Sequence, residues 1–363
     1  MFQLRWTVGK PMTLNWTLAI CTYNRPHFLV ETLRHALGQT RPPAEVVVVD
    51  ASDDWEDTRE AMVAEFERHW DEVRLVYVPA EVRSLTFQRN QALRLATSDV
   101  VFSLDDDIYL YPDAAEIVME VYEADTRREI AMVTGRFMPG PYDAKRKRSP
   151  RPARRGGSGA KLRGTKLRKW VEKQLALGSH FVPYDDPVDM GPVPESVEHL
   201  NVFPCRLVNG GRTTFRRELA EESGWTELLR YYATHEDSDF SYRMSQLGRL
   251  LVAPDAGFFH ADGNDSKVGR FRVNTIRVRN LLALHAVHSP NRVRSALRCG
   301  ASFAKFMSLY VAIDAAQKRL SLPTARAYAY GIAQIPVFLF FPFQDFEGWY
   351  TDLQERMYGD RYK

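Results

Sequence analysis

The chain has 363 residues, 45% of them hydrophobic, and 49 Lys and Arg against 46 Asp and Glu give a formal charge of +3 at pH 7. That length and apolar content suit one large globular domain plus an appendage, with a core that needs no disulfide support. Cys21, Cys205 and Cys299 are too scattered for a structural zinc site and read as reduced thiols of a cytosolic protein. The first sixteen residues hold Arg5 and Lys10 but no continuous apolar stretch. No run reaches the roughly 18 uncharged apolar residues of a membrane span, so secretion and insertion are not expected.

From Thr17 to about Gly135, short apolar runs alternate with helical spacing, the pattern of βαβ units feeding a mostly parallel sheet. Strands are predicted at Thr17 to Tyr23, Val46 to Val49, Val73 to Val78, Val100 to Leu104 and Ile130 to Thr134. Helices are predicted at His27 to Leu37, Asp57 to Trp70 and Leu85 to Ala96, with Pro26 suited to a first helical turn. Ligands of such sheets bind at the carboxyl ends of the strands. Tyr23-Asn24-Arg25, Asp50 to Asp54 and Asp105-Asp106-Asp107 all fall at those ends. The acidic triplet alone reads more readily as a helix cap or a solvated turn; its convergence with the other two segments makes it a place for a metal and a phosphate-bearing ligand. No Gly-x-Gly-x-x-Gly fingerprint or Walker P-loop is present, which disfavours a dinucleotide dehydrogenase or a P-loop kinase.

Lys145 to Lys169 carries twelve Lys or Arg residues and no acid, interrupted by prolines and glycines. Its first half reads as a mobile loop, and its charge would attract anionic lipid headgroups, a phosphorylated acceptor or nucleic acid. The scarcity of aromatics among the charges makes nucleic acid the weakest of these. Beyond it, Asn209-Gly210-Gly211 reads as a turn, Arg212 to Phe215 as a strand and Arg217 to Glu222 as a helix. Another helix runs from Glu236 to about Leu247, ended by Gly248, and a strand from Leu250 to Ala253 leads to His260. In the last third, Arg270, Arg272, Arg277 and Arg279 alternate with apolar residues in a helix that would dock on the core or lie in a lipid interface. Ala301 to Ile313 and Ile335 to Phe343 are apolar but too short to span; packing onto the core is the default for them.

The segments Ala19 to Arg25, Val47 to Asp54, Arg89-Asn90, Asp105 to Asp107 and His235 to Phe240 occur in the order seen in family 2 glycosyltransferases, which the chain resembles from Thr17 to about His260. The resemblance implies the α/β fold called GT-A with a helical C-terminal extension. It divides the chain into a nucleotide-sugar-binding half (1–139), a partly flexible basic insertion (140–198), an acceptor-binding half (199–268) and a helical region (269–363). It also implies inverting transfer from a nucleotide diphosphate sugar, UDP being the commonest carrier, to a glycan or lipid-linked acceptor in surface or extracellular glycan assembly.

Carried over residue by residue, Thr22, Tyr23 and Arg25 would line the nucleotide pocket, Asp50 and Asp53 would face the base, and Arg89 would sit beside the nucleotide. Asp105 and Asp107 match the metal-binding Asp-x-Asp pair, with Asp106 free for the ribose or the sugar and His260 near the metal. Mg²⁺ or Mn²⁺ suits such oxygen ligands and would offset the charge of a diphosphate leaving group. Inversion needs a base for the acceptor hydroxyl. Asp237 matches that position and Glu236 an acceptor-binding or orienting one. The same acids also suit a helix N-terminus, where Asp239 would pair with Arg243 at i+4. Two other readings remain at this point: a sugar nucleotidyltransferase, and a non-catalytic scaffold that binds anionic surfaces. The expected location is the cytoplasm, with peripheral attachment to the inner face of a membrane left open by the basic and apolar segments. Oligomeric state is not legible.

Overall fold

A computed structural model describes residues 13–142, 180–208, 210–231, 233–261 and 269–358. The basic segment Lys145 to Lys169 and Asn209 lie outside the described residues.

Three parallel strands with apolar residues on both faces form the centre: β1 (Trp16–Thr22), β2 (Glu45–Asp50) and β4 (Val100–Asp105), each almost wholly buried. Such runs without polar alternation fit strands covered on both sides. With β3 (Arg74–Pro79), β5 (Ile108–Leu110), β6 (Ile130–Phe137), β7 (Phe203–Pro204), β8 (Arg212–Arg216) and β9 (Arg249–His260), they form one nine-stranded sheet. Its order is β3-β2-β1-β4-β8-β6-β9-β5, and β7 pairs with β9. β8 runs antiparallel to β4 and β6, while β6 and β9 are parallel. The register sets Thr22 beside Asp50, and Cys21 beside Asp105, so the polar ends of three strands share one edge.

Helices α1 (Pro26–Leu37) and α4 (Ala114–Ala124) close one face of the sheet over Leu29, Leu33, Val118 and Phe102. The other face is closed by α3 (Leu85–Leu95), α5 (Arg217–Ser223) and α6 (Glu236–Leu247), through Ala92, Ala220, Phe240 and Met244. α2 (Trp55–Glu65) stops five residues before the predicted end. Phe66 leaves helical geometry at φ −113° and is buried edge-on to Trp70, so a short 3₁₀ turn at Glu67–His69 replaces the last helical turn.

β9 has twelve residues where four were predicted. Ala253 to Ala256 face the single residue Gly135 of β6 in an irregularity of the register. A Cβ on Gly135 would lie 2.3 Å from the Ala256 carbonyl oxygen, so glycine permits this close approach. Pro254 stands in the excursion, where its missing N–H breaks no ladder. The strand then resumes to His260, whose partner is Ile108 of β5.

The C-terminal region is helical, as predicted: α7 (Arg270–His288), α8 (Arg292–Ala316), α9 (Pro323–Phe340) and α10 (Phe346–Tyr358). Their shared core includes Leu281, Phe303, Tyr328 and Phe338, and it continues into Leu228, Leu229 and Tyr242 of the preceding half. Phe181, Val182 and Tyr184, assigned by the sequence to the basic insertion, are buried in the same core. Helix α8 extends beyond both ends of the apolar run read from the sequence and is long and apolar enough, by length and composition, to cross a membrane. It has 25 residues and an 18-residue stretch of mean hydropathy 1.2, because the helix runs on through Lys305 on both sides of the predicted apolar run.

Candidate active site

The site grows from the turn after β1. Asn24 adopts left-handed φ 53°, which asparagine tolerates, and its N–H donates to Ser52 Oγ at 2.7 Å. This ties the β1 and β2 ends together. Asp50 is buried and accepts from the Tyr77 hydroxyl at 2.6 Å and the Ser52 N–H at 2.8 Å. Burial, reinforced by Asp50, pushes the Tyr77 phenol well above its ordinary range. Asp53 does not share that environment, since it is exposed and paired with Arg83. The two acids predicted to face the base therefore sit apart, one fixed in the floor and one at the rim.

At the end of β4 the three acids point in three directions. Asp106 is buried, accepting from Thr22 Oγ1 at 2.7 Å and Arg25 at 2.8 Å. Burial pushes its carboxyl up to about 7, with Arg25 and Thr22 opposing. Asp107 takes the other arm of the Arg25 fork at 2.8 Å. Its Oδ1 is buried, has no hydrogen bond of good geometry, and faces His260 Nε2 at 3.3 Å. Burial alone would raise this carboxyl, but His260 and Arg25 outweigh it and hold it below the usual range.

Asp105 turns to Arg89, which donates to it at 3.0 Å and to Glu236 at 3.1 Å while lying 4.5 Å from the Trp225 ring centroid. Burial works against the Arg89 charge, but the two carboxylates overcome it and raise its pKa. Gly211, at φ 78°, leaves room for this arrangement: a Cβ there would lie 2.6 Å from Asp105 Oδ2.

Across the cleft, His235 enters α6 in left-handed geometry, φ 82°, and is buried. Burial and then Arg277 push its imidazole down to about 3. Glu236 follows, and burial, with Asp237 adding, pushes its carboxyl up to about 8 against the pull of Arg89. Asp237 is fastened differently, accepting from the Gly210 N–H at 2.8 Å and the Ser238 N–H at 2.7 Å. Asp239 is a structural acid, fully buried between the Tyr184 hydroxyl at 2.6 Å and Arg243 at 2.7 Å, the i+4 pair anticipated from the sequence.

A cleft of about 310 Å³ opens at Asp105 to Asp107, with Thr22, Tyr23, Arg25 and Gln88 also in its lining; Arg89, Glu236, Asp237 and His260 are not among its lining residues. Arg83, Ser84 and Tyr231 also line it and carried no sequence signal. Gly211 did carry one, the Gly-Gly turn, though without its reason. Among the described residues no three His, Cys, Asp or Glu side chains converge as a ligand set. Of the predicted metal residues, Asp107 and His260 meet, whereas Asp105 is drawn to Arg89. A buried carboxylate oxygen facing an imidazole nitrogen is a donor pair suited to a divalent cation such as Mn²⁺.

Fold and site together define an α/β protein with an acidic cleft at the carboxyl ends of its strands, where sheets of this kind bind ligands. Residues 17–177 match the family model described as glycosyl transferase family 2. The mixed sheet flanked by helices and the helical C-terminal region are the α/β arrangement expected from the sequence.

The glucosyl-dolichyl phosphate glucuronosyltransferase of Haloferax volcanii is 30% identical over 115 residues, 30% of this chain and 34% of that protein. A hyaluronan synthase of Streptococcus pyogenes is 30% identical over 121 residues, 32% of this chain and 29% of its own. The chain thus spans about a third of the length of the curated relatives it matches. A mannosyltransferase of Pyrobaculum calidifontis, solved with GDP-Man and Mn²⁺, covers 92% of this chain and 90% of its own at 16% identity and a TM-score of 0.49.

Proposed function

We propose that this protein transfers a sugar, with inversion, from a nucleotide diphosphate sugar to an acceptor hydroxyl on a glycan or lipid-linked glycan. The observation that carries this reading is the joining of two acidic groups from distant parts of the chain by one buried cation: Arg89 holds Asp105 at the β4 end and Glu236 at the start of α6. On this reading the residues that serve the donor and those that serve the acceptor are tied to one buried guanidinium.

The donor would enter over Thr22, Tyr23 and Arg25, with its base toward Asp50 and Asp53 and its phosphates toward the acidic triplet. Arg25 now spends both arms on Asp106 and Asp107, and an incoming diphosphate would compete for them. Asp107 and His260 would hold Mg²⁺ or Mn²⁺, joined by Asp105 if it releases Arg89. The cation supplies the positive charge that a diphosphate leaving group needs. Asp106, anchored by Thr22, orients the loop and is placed to meet the ribose or sugar.

Asp237 acts as the base that takes the acceptor proton, its carboxyl group oriented at the start of α6 by the Gly210 and Ser238 N–H groups. Glu236, held by Arg89 with its carboxyl pushed up by burial, binds or orients the acceptor beside Asp237. The relatives' names, one including dolichyl phosphate and one hyaluronan, support a lipid-linked or polysaccharide acceptor in surface glycan assembly. UDP is the first carrier to test, ahead of GDP and dTDP.

The test is a calorimetric titration of UDP, GDP and dTDP ligands with and without Mn²⁺, on the wild type and on Asp105→Ala/Asp107→Ala. Saturable, metal-dependent binding of one nucleotide, lost in the double variant, is expected. Absence of binding by folded protein would sink the proposal and favour a scaffold role.

A further inference from the structure

The α8–α9 hairpin has a second face that the core does not use. α8 buries Ser295, Cys299, Ser302, Phe303 and Phe306 at helical spacing. Its opposite flank leaves Leu297 65% exposed and Val293 61% exposed. Only 28% of its most apolar 18 residues are buried. Arg292 donates to the Leu339 carbonyl at 3.1 Å, so this end of α8 lies beside the end of α9, where Phe340 and Phe341 are exposed as well. At the far end, the turn between the helices presents Leu320 at 90% exposure beside Lys318. Isolated exposed apolar residues are ordinary, but a set that follows one face of a hairpin and its tip is not.

Charge decides what would cover this face. From Arg292 to Gln344 the sequence has seven Lys and Arg and one acid, Asp314. Asp314 is fully buried, where it accepts from the Thr324 N–H at 2.8 Å and meets Arg319 at 3.6 Å. The solvent-facing charges that the hairpin itself contributes are therefore of one sign, although Arg294 is met by Asp185 and Asp186 of the preceding segment. A second copy would bring the same positive field against itself. An anionic lipid surface would meet both properties, taking the apolar side chains below its headgroups and the cations among them. A spanning arrangement conflicts with the packing, because the other flank of α8 is committed to Phe303, Cys299 and the buried Arg298 and Asp314.

We propose that the outer face of the α8–α9 hairpin, with Leu297, Leu320 and Phe340 as its anchors, docks the protein in the plane of an anionic membrane surface. This does not depend on which sugar donor the cleft takes.

Flotation of the full chain with vesicles tests it, using phosphatidylcholine alone and phosphatidylcholine with about one third phosphatidylglycerol. The wild type is expected to float with the anionic vesicles, less with neutral ones, and less as salt rises. Leu297→Glu/Phe340→Glu should lower partition about tenfold or more, with Tm and nucleotide binding unchanged. Leu320→Glu, at a position too exposed to disturb packing, should lower it by a smaller factor. The proposal is overturned if the wild type floats with neither vesicle, or if the double variant and Leu320→Glu float as well as the wild type. It is also overturned if the wild type is a dimer that the double variant dissociates, since a second copy would then own the face.

Discussion

Arg89 bears the largest electrostatic burden in the cleft, and its environment explains why. A buried guanidinium is tolerable only with its charge met, and Asp105 and Glu236 meet it while Trp225 covers its face. Arg89→Met would leave Glu236 buried beside Asp237 without compensation. We expect a loss of about 3–5 kcal/mol in urea denaturation and weakened donor binding.

Glu236 gives a pH signature. Its folded value of about 8 lies above the ordinary 4.5, so the folded chain binds more protons than the unfolded one between those values. Stability from this group is present at low pH and falls as pH rises through that window. Glu236→Gln should flatten this part of a Tm-against-pH profile; an unchanged slope would show that the carboxyl is not held protonated. Asp237→Asn keeps size and hydrogen-bonding reach but loses basicity, and a loss of about 10²–10⁴ in transfer rate with donor affinity intact is expected. Full activity in that variant would remove Asp237 as the base.

At the scale of elements, strands β1, β2 and β4 were legible because a fully buried parallel strand must be a short apolar run, and its polar end must mark the ligand edge. β5, the far half of β9 and the 3₁₀ turn after α2 were not, because each depends on a partner distant in sequence: β5 exists by pairing with His260, and Phe66 bends away to reach a buried pocket. The turn into β8 shows the same dependence. Gly211 looked like an ordinary turn glycine, yet it makes room for the Asp105 carboxylate. Gly211→Ala would add a side chain in left-handed geometry as well as a clash. It should cost about 1–2 kcal/mol in chemical denaturation and lower metal-dependent nucleotide affinity; an unaffected affinity would separate Asp105 from the donor site.

At the scale of the whole molecule, the helical region supports the segment that leads into α6. Asn280 on α7 donates to the Thr234 carbonyl at 2.9 Å and accepts from the Tyr350 hydroxyl of α10 at 2.5 Å. Gln354 of α10 reaches the Leu228 carbonyl at 2.9 Å. The strained His235 that opens α6 thus rests on contacts from the last helix. Asn280→Ala leaves two buried polar partners unmet and should cost about 1–3 kcal/mol, with a larger fall in kcat than in donor affinity.

Buried histidines add a pH limit here. Burial first, with nearby cations, holds His180 and His285 at about 4 and His235 at about 3. Their folded values lie below the ordinary 6.5, so the stability they carry is present above 6.5 and is lost as pH falls toward 4. Melting curves across that range should show the fall, and His235→Gln should reduce it.

The sequence by itself determined the α/β class, the order of the central strands and the acids at their ends, because local periodicity and strand polarity are properties of short segments. It also determined Asp239 as a structural acid, through the i+4 spacing to Arg243. Only the tertiary structure decided that Asp106 is buried while Asp107 faces His260, that Asp50 and Asp53 part company, and that Arg89 ties the two halves together. Those outcomes rest on which side chains meet across the sheet edge and how much water each retains, and burial of that kind arises only when segments far apart in the chain are packed against one another.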